Sequence, residues 1–245
     1  MSLLGFLRKP AATLADLRPG AEVHCHILPG VDDGFQQVED SVEALRRMQA
    51  LGIGRVQLTP HMNLDDFAGN TEDLLREHFE AFRASLPEDI VLHLSLGAEY
   101  MVNEQLDLQR PFLCFAGRRV LIEMSYYYES RNIKEAIFEL CLQDYHPVLA
   151  HPERYLYYSR DLSPLEEYVR MGCSLQLNLL SLTPYYSPET IRMGYSLLDK
   201  GLYRYAGSDL HSLRQLDRLQ DMKIDRKYLD KIQQLLDNNR ELFEA

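Results

Sequence analysis

Short apolar runs punctuate the chain at 21–26 (AEVHCH), 55–59 (RVQLT), 90–97 (IVLHLSLG), 119–123 (RVLIE), 147–150 (PVLA), 174–178 (SLQLN) and 203–207 (YRYAG). Runs of this length, many of them rich in β-branched residues, predict seven strands. Between them the apolar positions switch to helical spacing, as at Val38, Val42, Leu45 and Met48, and again at Leu165, Tyr168 and Val169. The order reads β-α-β-α nearly throughout. Repeated βα units imply a parallel sheet with right-handed crossovers, and seven of them in about 200 residues favour a closed or nearly closed barrel over an open sheet. The expected fold class is α/β.

No Gly/Ser linker, charge block, internal repeat or low-complexity tract divides the chain, so one domain is expected over 21–245. A lead segment, 1–20, precedes it and holds Pro10, Pro19 and Gly20. From Asp225 to Ala245, Tyr228, Ile232, Leu235 and Leu236 share one face of a predicted terminal helix that covers the core.

Composition narrows the function classes. A chain of 245 residues with 46% hydrophobic content buries a real core, which argues against disorder. No apolar run reaches the roughly 20 residues of a membrane-spanning helix, and the start MSLLGFLRKP lacks a full signal-peptide core and cleavage site. Cys25, Cys114, Cys141 and Cys173 show no C-x-x-C spacing, which predicts neither a zinc ribbon nor a disulfide framework. The expectation is a soluble cytoplasmic protein with reduced thiols and no membrane insertion. A formal net charge of −11 weighs against nucleic acid as a partner, because such binders usually carry a basic stripe that releases counterions.

Residues with metal-ligand chemistry gather at the C-terminal ends of the predicted strands, the face where a parallel barrel forms its active site. The first strand ends in His24-Cys25-His26, whose period of two sends both imidazoles to one side, where they can share a cation. Asp33 follows in PGVDDG. The other strand ends carry His61 (TPH), Glu99 (GAE), Glu123 (IE), His151 (AHPER), and Asp209 with His211 (SDLH). Any one of these alone is a weak signal; six of seven strand ends in one layer make a metal centre the expectation. His78, His93 and His146 fall outside that layer and read as surface or packing residues.

These motifs resemble those of the polymerase and histidinol phosphatase (PHP) superfamily, and within it the bacterial manganese-dependent protein-tyrosine phosphatases of capsule and exopolysaccharide synthesis. HCHILPGVDDG (24–34), TPH (59–61), GAEY (97–100), LIEMS (121–125), VLAHPERY (148–155) and SDLH (208–211) follow the family order. The resemblance implies a distorted (β/α)7 TIM-like barrel. It also implies a first ion held by His24, His26, Glu99 and Asp209, and a second by bridging Glu99 with Glu123 and His151. A third would take Asp33, His61 and His211. Two basic positions of the family are not cleanly matched: Met62 and Asn63 follow His61, and Arg214 or Arg218 only approximates the later arginine.

Mixed imidazole and carboxylate ligands suit Mn, Fe or Zn better than Ca, and the resemblance implies Mn. Two or three such ions would supply hydroxide at neutral pH and neutralise a phosphoryl group attacked in line. Arg154 is the candidate phosphate clamp, since a guanidinium fork matches phosphate oxygens; the alternative is an ion pair with Glu153 or another carboxylate. Phenolate, with a parent pKa of about 10, leaves more readily than an alkoxide. A cysteine phosphatase is excluded, because the residues six positions beyond the four cysteines are Val31, Val120, Pro147 and Leu179, none an arginine. Tyr126-Tyr127-Tyr128, Tyr155 to Tyr158 and Tyr185-Tyr186 either stack a substrate ring or pack as loop anchors. The expected activity is phosphotyrosine hydrolysis, on what the resemblance implies to be the tail of a bacterial tyrosine autokinase. The alternative is a small monoester such as histidinol phosphate.

Overall fold

The structure is a computed structural model that describes residues 11–63 and 65–244. The expected lead segment is therefore seen only from 11 onward, and Pro10 lies outside the described residues. Ala12 exchanges backbone hydrogen bonds with Ile224 at 2.9 and 2.8 Å, and Leu14 and Leu17 are buried.

Among the described residues, nine strand segments follow seven parallel tracks. They are β1 (Ala21–Cys25), β2 (Arg55–Leu58), β3 (His61–Met62), β4 (His93–Leu96), β5 (Glu99–Met101), β6 (Arg119–Glu123), β7 (His146–Ala150), β8 (Ser174–Asn178) and β9 (Tyr203–Gly207). One sheet runs β1-β2-β4 and the other β3-β5-β6-β7-β8-β9. The second and third tracks each break in two. Pro60 has no N–H to donate to the ladder, so β2 stops at Leu58 and resumes as β3. Gly97-Ala98 interrupts the neighbouring track in step, and His61 pairs with Glu99 across the resumed ladder. The interruption sets these two residues on a separate sheet from the strands that lead into them.

The first and last strands meet just beyond their ends. Asp209 N–H donates to the His24 carbonyl and His26 N–H to the Leu210 carbonyl, both at 2.9 Å. Side chains alternate between two buried faces. On β6, Leu121 joins Val148, Ala150 and Tyr205 in a small cluster, while Val120 and Ile122 join the large core shared with the helices.

The helices are α1 (Val38–Ala50), α2 (Glu72–Ser85), α3 (Ile133–Leu142), α4 (Ser163–Arg170), α5 (Pro188–Lys200), α6 (Leu213–Gln220) and α7 (Leu229–Glu241). Val42, Leu45 and Met48 bury their side chains on α1, whereas Val38 at its first position is exposed. On α7, Ile232, Leu235 and Leu236 are buried and the helix packs against β9 and β1. The predicted terminal helix starts later than Asp225, because that residue instead caps a short 3₁₀ turn, Arg226–Tyr228. The third track is followed by irregular chain over 102–118 in place of a helix, which is the distortion of this (β/α)7 arrangement.

Gly207 ends β9 against the first strand. A Cβ there would lie 2.7 Å from the His24 Cβ and 3.1 Å from Gln176 Oε1. Gly207→Ala is expected to cost about 2 kcal/mol of stability, roughly 4–8 °C in Tm, because both neighbours are buried and cannot retreat. An unchanged thermal melt would show that the strand ends yield.

Candidate metal centre

All nine candidate ligands stand at the C-terminal rim of the tracks, and their donor atoms form three overlapping groups. His24, Glu99, His151 and Asp209 make one; His26, Asp33, His61 and His211 a second; His61, Glu99 and Glu123 a third, each with donor atoms within 4.8 Å of one another. His26 thus stands with the Asp33 group, although the family resemblance pairs it with His24. It remains close to both: His26 Nε2 is 3.2 Å from His24 Nε2 and 3.3 Å from Glu99 Oε2.

Glu99 is the hub. Fully buried, it sends Oε1 to His151 Nε2 at 3.1 Å, and Oε2 to His24 Nε2 at 3.2 Å and His61 Nδ1 at 3.3 Å. Two ligands hold backbone conformations that L-residues rarely adopt, His151 at φ 36° and Asp209 at φ 50°. Left-handed, non-glycine residues of this kind cluster at functional sites, where surrounding structure sustains their strain.

The imidazoles are oriented from behind. His24 donates from Nδ1 to Gln176 Oε1 at 2.6 Å, His26 from Nδ1 to Asp32 Oδ2 at 2.8 Å, and His211 from Nδ1 to the Asp209 carbonyl at 2.9 Å. With the proton on Nδ1, Nε2 of each neutral ring offers a lone pair to the centre. The lone pairs of His24 and His26 then face each other across 3.2 Å, an arrangement that repels unless a cation or proton lies between them. Glu99 Oε2 and His61 Nδ1 are buried and, although 3.3 Å apart, complete no aligned hydrogen bond. The donor set therefore fits divalent cations.

Asp32, Gln176 and Asn178 were not singled out in the sequence. Asp32 accepts from His26, from the Gly34 N–H at 2.9 Å and from the His61 N–H at 3.0 Å. Asn178 Nδ2 donates to Asp209 Oδ2 at 3.0 Å. The polar pair Q-x-N in SLQLN was the available signal, since period two sends both to the same side of β8. Asp32→Asn is expected to weaken metal binding about 10- to 100-fold, because the amide no longer fixes the tautomer of His26. Equilibrium metal titration measures this, and a wild-type affinity would deny Asp32 that role.

Charge is concentrated here. Burial and neighbouring His26 push the His61 ring down, but Glu123 and Glu99 outweigh them and lift its pKa to about 9. The bond with His211 takes Asp33 down to about 2 against the opposing effect of burial. At pH 7 the metal-free His61 holds a proton that a ligating ring must give up. Metal uptake is thus expected to release protons, and apparent affinity to rise with pH up to about 9, by at most tenfold per unit for each proton released. Titrating Mn²⁺ in weakly buffered solution reads the release directly; uptake without it would mean that His61 is neutral beforehand or does not ligate.

An open cleft of about 1360 Å³ lies over the centre, lined by Asp33, His61, Glu123, Arg154, Asp209 and His211 among others. Arg154 donates from Nη1 to Asp209 Oδ2 at 2.6 Å, so its carboxylate partner is Asp209 and not Glu153. Glu153 is fully buried and accepts instead from the Asn178 N–H and the Tyr203 hydroxyl. Arg214 is exposed on α6 and does not line the cleft, whereas its neighbour Gln215 does. Of the tyrosines, Tyr126, Tyr127, Tyr128, Tyr185 and Tyr186 line the cleft, while Tyr155 and Tyr158 are buried packing residues. His78, His93 and His146 are all exposed and stand apart from the centre. Cys25 and Cys173 are buried, Cys114 and Cys141 half-buried, and all four are free thiols.

Known proteins share this architecture. The tyrosine-protein phosphatase YwqE of Bacillus subtilis is 27% identical over 197 residues, covering 79% of this chain and 78% of its own. The putative tyrosine-protein phosphatase CapC of Staphylococcus aureus is 25% identical over 227 residues, with 89% of each chain covered. A chain from the crystal structures of YwqE from Bacillus subtilis and CpsB from Streptococcus pneumoniae, metal-dependent tyrosine phosphatases, superposes with a TM-score of 0.74 at 26% identity, covering 91% of both chains. The phosphotriesterase of Mycobacterium tuberculosis superposes at 0.55 with 12% identity over 95% of this chain and 96% of its own, a likeness of fold alone. The family of capsular polysaccharide synthesis, CpsB/CapC, matches residues 21–243, and the chain belongs to it.

Proposed function

We propose that this chain is a metal-dependent phosphoric monoester hydrolase that removes phosphate from tyrosine side chains of a partner protein, with two or three Mn²⁺ ions as cofactor. The observation that carries this reading is the meeting of nine imidazole and carboxylate side chains around buried Glu99, with an arginine beside them at the foot of an open cleft. Glu99 belongs to two of the three donor groups and is the shared carboxylate. When bound, divalent cations at such a site lower the pKa of water toward about 7 and neutralise phosphoryl oxygens.

The protein's own residues do the rest. Asp32 and Gln176 hold the His26 and His24 rings in the ligating tautomer, and Asn178 and Arg154 restrain the Asp209 carboxylate. Arg154 receives a phosphoryl oxygen and stays charged throughout. A departing phenolate needs little protonation, which lessens the demand on a general acid. The cleft exceeds the roughly 300–1000 Å³ of ordinary small-molecule pockets, which favours a protein segment over a free metabolite.

The relatives' tyrosine-phosphatase names support a phosphotyrosine protein as substrate; that it is a bacterial tyrosine kinase tail, met in the cytoplasm, rests on the resemblance of the sequence motifs alone. Among the described residues no helix is long and apolar enough to cross a membrane.

The test is phosphate release from a phosphotyrosine peptide by chelated protein before and after Mn²⁺ addition, with bound metal counted by elemental analysis. Activity restored by metal supports the reading. Full metal occupancy with release only from a small ester such as histidinol phosphate would overturn the substrate assignment.

A further inference from the structure

Arg154 sits in a 3₁₀ turn, Pro152–Arg154, that follows β7. The loops on either side of its own, leaving β6 and β8, each bring a tyrosine ring to it. The guanidinium carbon lies 4.3 Å from the Tyr126 ring centroid and 4.7 Å from that of Tyr186. Its Nη1 is tied to Asp209. Tyr186 is itself held from the centre, its hydroxyl accepting from Asn178 Nδ2 at 3.4 Å, the same amide that donates to Asp209. The Tyr126 ring packs beside those of His151 and Tyr155, with centroids at 5.7 and 6.0 Å.

A guanidinium offers an anion two kinds of approach, over its face or along its edge, and only the edge gives two parallel hydrogen bonds. Both rings stand within cation–π distance of the guanidinium, and the bond to Asp209 holds one of its nitrogens. The side chain keeps 18% of its surface exposed, and it lines the cleft.

We propose that Tyr126 and Tyr186 are positioning residues that clamp Arg154 between their rings, so that it meets a phosphoryl group edge-on; this rests on the reading of the site as a phosphate-ester centre. The rings act through Arg154 and not on the phosphate. The role asks only for an aromatic face, so the phenol hydroxyls are dispensable. Lysine at 154 would have no flat cation to clamp.

The test is a double-mutant cycle read by binding of inorganic phosphate to Mn²⁺-loaded protein, with metal content measured for every variant. Y126L and Y186L are each expected to raise the phosphate Kd on the order of tenfold when Arg154 is present, and less than about twofold in an R154A background. Y126F and Y186F, which keep the ring, are expected to recover most of the lost binding. In metal-free protein labelled with ¹⁵N-arginine, the Arg154 side-chain resonance is expected at a ring-shifted position that moves in the Leu variants and stays in the Phe variants. Equal losses with and without Arg154 would overturn the clamp, because the rings would then act on the ligand themselves. Absence of phosphate binding by the wild type would overturn it as well. Intact coupling in phosphate binding, together with no release from phosphotyrosine peptides, would support the clamp and remove the tyrosyl ester as substrate.

Discussion

Glu99→Gln is expected to lower phosphotyrosine turnover by about 1000-fold or more, roughly 4 kcal/mol in the barrier, while the barrel stays folded. The two carboxylate oxygens serve different partners: Oε1 reaches His151, and Oε2 reaches His24, His26 and His61. An amide supplies one oxygen and one NH₂. Whichever way it turns, one side of the shared position presents N–H groups to a cation. The neutral amide also withdraws the negative charge that offsets mutual repulsion of the ions, so metal content should fall together with rate. The ladder that holds Glu99 uses only its backbone, with its N–H donating to the Pro60 carbonyl at 3.0 Å, and survives the change. Elemental analysis, circular dichroism and turnover on one preparation make the check. Retained metal with turnover within tenfold of wild type would sink the shared-carboxylate arrangement.

The second large effect is expected at Arg154. Arg154→Lys should cost about 100-fold in kcat/KM, roughly 2.7 kcal/mol, with metal content unchanged. The charge is kept, so a purely coulombic role would predict almost no loss. What disappears is the planar fork and the stacking on Tyr126 and Tyr186. Metal lost along with the rate would instead mean that Arg154 serves mainly to hold the Asp209 carboxylate.

Much of the architecture was legible because strand ends and chemistry coincide. All seven predicted strands correspond to tracks of the barrel, and most expected ligands are recognisable as polar residues at or just past the end of an apolar run, Asp33 in its PGVDDG turn being the exception. Two features were hidden. The breaks at Pro60 and Gly97-Ala98 look in sequence like strand termini, and only pairing across tracks reveals that β3 and β5 resume the ladder. In Asp32-Asp33 the residues are chemically identical, so the sequence cannot tell which carboxylate orients His26 and which faces the cleft; backbone direction in the turn decides. The later basic position shows a different difficulty. Arg214 matched by charge, yet Ser212 caps α6 by accepting from the Gln215 N–H, and Gln215 folds back to accept from the His211 N–H. That reciprocal cap points position 215 toward the centre, and S-x-x-Q was its signature.

The joining of first and last strands bears on how the protein comes into being. His24 and His26 lie at the end of the first strand, and Asp209 and His211 just past the last, yet His24 shares one donor group with Asp209 and His26 another with His211, and the backbones are tied together there. A chain emerging from the ribosome therefore exposes half a set of ligands long before the other half exists. Domains of this kind gain their long-range contacts only once the distant segment arrives. The centre can therefore close around its ions only after the last strand has been made.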